Sequence, residues 1–205
     1  PSISSAASDV YKRQAFFSAF ILGPLVSKFF NLSGLFFLVI FLTIFSLLLT
    51  VLIPKTTTSS KRQFNYDLFE IVSNKKFNCF FFDILILHMM LTSIFIAIPV
   101  MMSEIYRIAV DDFPQLYSSI FILSLVITLP LLGLERSKPH LTRNTSVLLL
   151  SLSLIFTYLF FDTSLIIITG ALICYIGSFS VLEAGIPSAL SKNTNIDNRG
   201  LTMSI

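Results

Sequence analysis

Two ionisable side chains, His88 and Glu183, stand inside largely apolar stretches of membrane length. An imidazole or carboxylate in such a place is costly and marks a functional site by default. Glu183 falls at the end of an apolar run that opens near Ser164. Around it are the small residues Gly177, Ser178, Ser180, Ala184 and Gly185, which let another helix approach closely. Pro187 is expected to disturb the helix, and Lys192 to Arg199 reads as polar loop. His88 lies about 16 Å into a run that starts at Phe77, near mid-bilayer. Histidine changes charge near neutral pH, which suits proton coupling, and Thr92, one turn on, is placed to hydrogen-bond it. Glu183 is about 28 Å along a helix starting at Ser164, near the far boundary, where it would either move protons or pair with Lys192. These depths make His88 and Glu183 two separate stations rather than a direct salt bridge. Asp83, about 9 Å into its run, would partner Lys76 or line the mouth of the same side.

The elements that must position these groups are membrane helices. The chain is 55% hydrophobic and only 12% charged, against about 25% charged for an ordinary soluble domain. Apolar stretches of membrane length point to an all-α, polytopic membrane protein in contact with the bilayer. The ten-residue alternation of a membrane β-barrel is absent. A formal charge of +3, spread over loops, speaks against nucleic-acid binding. Cys79 and Cys174 lie far apart, in or beside apolar segments, and read as small buried hydrophobes. No Cys, His and carboxylate cluster has metal spacing, and there is no Gly-rich phosphate loop or Ser/His/Asp set. The expectation is a protein without enzyme activity, metal or cofactor.

In chain order, Ala15 to Phe30 reads as the tail of one span, interrupted by Gly23-Pro24. Leu35 to Ile53 is a full span ended by Pro54, and Lys55 to Lys76 is a polar linker. Within it, Phe64 to Ser73 has helical apolar spacing, suited either to a membrane surface or to packing on the protein's own loops. Phe77 to about Met102, Leu116 to Leu134, Thr145 to Phe161 and Ser164 to about Leu190 are four more spans. Ser103 to Gln115 and Glu135 to Asn144 are expected to be charged loops. Among the basic residues from Ala15 onward, ten sort to one side of this arrangement and only Lys28 and Arg107 to the other. The basic side is cytoplasmic by the positive-inside rule. Cysteine labelling of the complete protein should therefore find Thr57 and Asn195 on the cytoplasmic face and Ser103 outside. Labelling of Thr57 and Asn195 from opposite faces would refute the span count.

Several stretches resemble the major facilitator superfamily. Gly23-Pro24 resembles the antiporter motif of that family's fifth helix, although Val26-Ser27 replaces its later glycines. Leu87-His88-Met-Met-Leu-Thr-Ser-Ile-Phe-Ile-Ala-Ile-Pro99 is similar to the seventh helix of the bacterial YajR-like branch. Leu182-Glu183-Ala-Gly-Ile-Pro187-Ser-Ala-Leu-Ser-Lys192, followed by Arg199-Gly200-Leu-Thr-Met203, looks like that branch's tenth helix and following loop. Gly133-Leu-Glu135-Arg136, with Lys138 and Arg143, resembles a degenerate copy of the family's cytoplasmic charged motif.

The resemblance implies a major facilitator-type helical bundle carrying about six of twelve helices. Residues 15–53 would end the N-terminal half, 54–76 would be the central cytoplasmic loop, and 77–205 would begin the C-terminal half. Helices seven and ten, with His88 and Glu183, would line the central cavity, where such transporters bind substrate near the midplane. Gly133, Glu135 and Arg136 would latch one conformation by docking on neighbouring helix ends. The implied protein is a multi-pass transporter of the bacterial inner membrane, monomeric when complete, exchanging a small molecule for protons. Metabolite uptake on the same fold, or a membrane subunit that binds partners without transporting, are the alternatives.

Residues 1–14 stand apart. Ser4-Ser-Ala-Ala-Ser-Asp-Val-Tyr-Lys-Arg-Gln14 looks like the translation of a transposase-type sequencing adapter, a segment to exclude from fold reasoning. Reading the locus from adapter-free DNA should show apolar helix sequence before Ala15; finding these eleven residues in the genome would overturn that expectation.

Overall fold

The computed structural model describes residues 2–53, 75–135 and 137–194. Six α-helices and one short 3₁₀ turn are found in them: α1 (Ser2–Ser27), α2 (Leu32–Leu52), α3 (Lys75–Glu104), the turn Val110–Asp112, α4 (Phe113–Glu135), α5 (Pro139–Phe160) and α6 (Leu165–Asn193). Five of them, α2 to α6, are long and apolar enough to cross a membrane, and α1 contains a shorter apolar stretch, Phe17–Ser27. Lipid offers no hydrogen bonds, so a spanning segment must satisfy its backbone internally, as helices do. The described chain is thus all-helical, with the character of a helical membrane protein.

Local chemistry sets the helix ends. Asn31 caps α2 by accepting a hydrogen bond from the Gly34 amide at 2.8 Å, and Ser164 caps α6 by accepting one from Ile167 at 3.4 Å. Both are N-cap bonds that serve otherwise unpaired amides. Helix α3 stops where Arg107 takes a left-handed conformation, φ 56°, while the Ile108 amide reaches back to the Met102 carbonyl at 3.0 Å. This pattern closes a helix C-terminus.

Several boundaries correct the sequence reading. The loop expected from Glu135 to Asn144 is shorter, because α4 runs to Glu135 and α5 already starts at Pro139. A proline at the first helical position is preorganised and loses no bond. Likewise α3 reaches Glu104 and α4 begins at Phe113, leaving a shorter link than Ser103 to Gln115. Gly23-Pro24 does not interrupt α1, and α6 continues through Pro187. Near a helix end, Pro24 removes one backbone bond, and the Ser27 hydroxyl donates to the Pro24 carbonyl at 2.6 Å. The expected surface helix from Phe64 to Ser73 lies outside the described residues.

Helix α6 is the centre of the bundle. It packs against α5, α4 and α3 and also touches α1, while α1 leans on α4. In its most apolar window 61% of residues are buried, against at most 33% in any other span. No α2 residue is buried. Apolar side chains gain little by leaving lipid for one another, so close backbone approach and hydroxyl bonds dominate packing. That is the pattern between α4 and α6. The Thr128 hydroxyl lies 3.0 Å from the Ser124 carbonyl on its own helix and 3.3 Å from the Gly177 carbonyl across the interface. A Cβ on Gly177 would come within 2.9 Å of the Ile127 Cβ and 3.1 Å of the Ser124 carbonyl. On α5, Thr142, Ser146, Leu150 and Ser153 are the buried residues, and their spacing forms one helical stripe. Between α1 and α4, the Ser118 hydroxyl sits 3.2 Å from the Ile21 carbonyl, and the Phe20 ring meets Phe121 edge-on at 4.7 Å.

Candidate functional site

The structure brings His88 and Glu183 together. The imidazole Nε2 lies 3.6 Å from a Glu183 carboxylate oxygen, within ion-pair range but beyond hydrogen-bond length. The expectation of two separate stations is therefore corrected. It arose because the two depths were counted from opposite ends of antiparallel helices. Counted from the end they share, His88 follows Lys75 by thirteen residues and Glu183 precedes Asn193 by ten. At helical rise these are about 20 and 15 Å, a difference that long side chains span. Helix α6 is about 43 Å long, so its count from Ser164 did not locate the membrane boundary.

Each side chain is held by its own helix and by the other. The His88 Nδ1 is 2.9 Å from the Ile84 carbonyl oxygen, one turn back on α3. The ring stands edge-on to Phe179 at 6.3 Å between centroids, and Phe179 stacks on Tyr175 at 6.2 Å. Tyr175, Phe179 and Glu183 recur every fourth residue and so share one face of α6. Tyr175 and Phe179 are buried, whereas His88 remains half exposed and Glu183 about a quarter exposed. The pair thus sits on an aromatic floor and opens on its other side. Pro187, four residues beyond Glu183, has no N–H to give the Glu183 carbonyl, which adds a second acceptor at this point of α6.

Thr92 does not hydrogen-bond the ring as expected. Its hydroxyl donates to the His88 backbone carbonyl at 2.9 Å, the usual refuge of a hydroxyl within a helix. Asp83 is exposed and borders a separate cavity of about 1150 Å³, bounded by α1, α3, α4, α5 and α6. Glu135, His140 and Arg143 also border this cavity, together with apolar walls that include Phe17, Phe80 and Leu129. Neither His88 nor Glu183 lines it. The Lys76 side chain, a candidate partner for Asp83, lies outside what is described.

Of the expected latch, Gly133 lines the cavity, with nothing within 4 Å of an added Cβ. Glu135, the last residue of α4, places a carboxylate oxygen 3.4 Å from where a Gly185 Cβ would stand. The end of α4 therefore docks on α6 two residues past Glu183. Arg136 lies outside the described residues. Gly23 has open space around it, and Pro24 is half-buried in α1.

The sequence reading missed the Ile84 carbonyl and Phe179 as parts of the site. Both were signalled by four-residue spacing, Ile84 to His88 and Phe179 to Glu183. Cys79 and Cys174 are free thiols, Cys79 exposed and Cys174 only partly covered rather than buried. No group of three metal-ligating side chains occurs among the described residues. Comparison with protein-family models, curated proteins and solved structures finds no match to this chain.

Proposed function

We propose that this chain belongs to a proton-coupled secondary transporter that exports a small molecule in exchange for protons. The observation that carries this reading is the His88–Glu183 pair, two ionisable groups meeting between two membrane-length helices. Intramembrane ionisable residues are characteristic of ion pathways and proton relays. The separate cavity bordered by Asp83, Glu135 and Arg143, and by Leu182 and Gly185 of α6, has the mixed apolar and polar walls that suit a small-molecule path. Together with the resemblance of the seventh- and tenth-helix stretches, these features favour a major facilitator-type bundle in the bacterial inner membrane working by alternating access.

The test uses the complete protein in proteoliposomes with an imposed pH gradient, a pH-sensitive dye inside and a panel of small lipophilic solutes. The expected result is solute movement against the proton gradient, with dye recovery on solute addition. Solute and protons moving in the same direction would replace export with uptake. No solute-dependent proton flux across the panel would reject this proposal.

A further inference from the structure

We infer that the cavity bounded by α1, α3, α4, α5 and α6 binds an amphipathic zwitterion, its cationic end at Asp83 and its anionic end at Arg143, with an apolar body between the two charges. The inference deepens the transport reading above and rests on it only for the ligand being carried. Occupancy of the cavity stands or falls separately.

The cavity lies at one end of the bundle. Its walls include Asp83 in the early turns of α3, Glu135 at the end of α4, Pro139 at the start of α5 and Ala189 near the end of α6. Toward the opposite end the space closes. There the Phe20 ring stands 6.2 Å from Phe95 and 4.7 Å from Phe121, and Ile98 and Met102 are buried. The enclosed space of about 1150 Å³ is on the scale of a small-molecule pocket.

Four ionisable side chains border this space: Asp83, Glu135, His140 and Arg143. Glu135 already has a partner and lies against Gly185. Asp83 and Arg143 have no ion-pair partner among the described residues, where His88 and Glu183 form the one pair. They stand on α3 and α5, helices that each pack on α6, so they border one space without meeting. The rest of the wall is largely apolar, with Phe17, Phe80, Leu129 and Leu182. A ligand that fills the cavity strips water from both charges, and a desolvated charge without a partner is costly. A lipophilic cation would match Asp83 but set a like charge near Arg143. A lipophilic anion would do the reverse, and a neutral lipophile would match neither. One molecule carrying both charges, its apolar body on the phenylalanines and leucines, matches the whole wall. The guanidinium fork suits a carboxylate, and His140, one turn before Arg143 on α5, borders the same end. A phospholipid headgroup also carries both charges, but together at one end of its chains. Asp83 and Arg143, on separate helices, call for charges held apart.

Protection of a cysteine reads occupancy without any transport step. In the complete protein, held in a neutral maltoside detergent, the native cysteines are replaced, including Cys79→Ser and Cys174→Ala, and Ser18→Cys places one thiol on the cavity wall. The probes ω-aminooctanoate, octylamine, octanoate and octanol share one chain and differ in charge, and octylphosphocholine puts both charges at one end. The concentration that halves the rate of maleimide modification should be about tenfold lower for ω-aminooctanoate than for the others, the scale of one charge-assisted hydrogen bond. Asp83→Asn should bring octanoate level with or ahead of ω-aminooctanoate, and Arg143→Gln should do the same for octylamine. Both residues are exposed, so neither substitution endangers the fold. A preference for octylamine, octanoate or octanol in the unsubstituted cavity, or an unchanged order of probes in both variants, would overturn the zwitterion. Octylphosphocholine protecting as well as ω-aminooctanoate would overturn the separated charges in favour of a lipid headgroup. The expected preference in a protein that moves no solute would uphold the site and reject the transport reading alone. Exchange of solute for protons by a protein without that preference would reject this inference alone.

Discussion

Glu183→Gln is expected to lower proton-driven solute movement by on the order of a hundredfold or more in the complete protein, the scale on which acid–base groups act. The amide keeps the size of the side chain and its place on α6 beside Phe179, but it does not exchange a proton. His88, held by the Ile84 carbonyl, would then face a neutral group, and proton binding would no longer be tied to the α3–α6 contact. Insertion should be unaffected, since an amide in an apolar helix costs less than a carboxylate. His88→Ala should weaken solute binding or shift the pH dependence of transport while leaving the carboxyl in place. Initial rates across a range of pH, with protein quantity in the membrane as control, provide the measurement. If both variants keep wild-type rates and pH profiles, the pair is structural.

The largest effect on stability is expected at Gly177. Its backbone meets α4 where an added Cβ would lie 2.9 Å from the Ile127 Cβ. That atom adjoins the α4 backbone, and the Ser124 carbonyl is close behind, so neither neighbour swings aside. Gly177→Ala should cost about 1–3 kcal/mol, as overpacking does. Gly177→Leu should force α4 off α6 and break the Thr128 contact as well. Gly170 is the control: it lies on the same helix with nothing within 4 Å of an added Cβ. There alanine should be neutral or gain about 0.5–1 kcal/mol through helix propensity. Thermal unfolding in detergent, followed by loss of the monodisperse species, separates the two. Equal melting temperatures for Gly170→Ala and Gly177→Ala would contradict the close approach.

Much of the architecture was legible because hydropathy reports helix spans directly. The exact ends were not, since they depend on single caps such as Pro139 and on the turn at Arg107. Glu183 and His88 were each identifiable as costly intramembrane groups, but their meeting was not. Depth along a helix depends on where the helix enters the membrane, and α3 and α6 both exceed the bilayer core in length. The small residues around Glu183 announced a close contact without naming its partner. Only the fold shows that Gly177 serves α4 and that Gly185 receives Glu135. Thr92 illustrates a further limit: one-turn spacing placed it near His88, yet a hydroxyl in a helix first finds the backbone carbonyl four residues back.

The central position of α6 carries a consequence for the order of events on the ribosome. It is the last of the described helices to be made, yet α1, α3, α4 and α5 all rest on it. Synthesis runs from the N-terminus, so the earlier helices enter the bilayer before their common neighbour exists. Until then lipid surrounds faces that will later be covered, among them the hydroxyl stripe of α5 and the Thr128 side of α4. Of those hydroxyls, Thr128, Thr142 and Ser153 each already bond a carbonyl one turn back, whereas Ser146 in the same stripe has no hydrogen-bond partner among the described residues. A nascent chain arrested before Leu165 should therefore hold inserted but loosely associated helices, and consolidation of the bundle should await the emergence of α6.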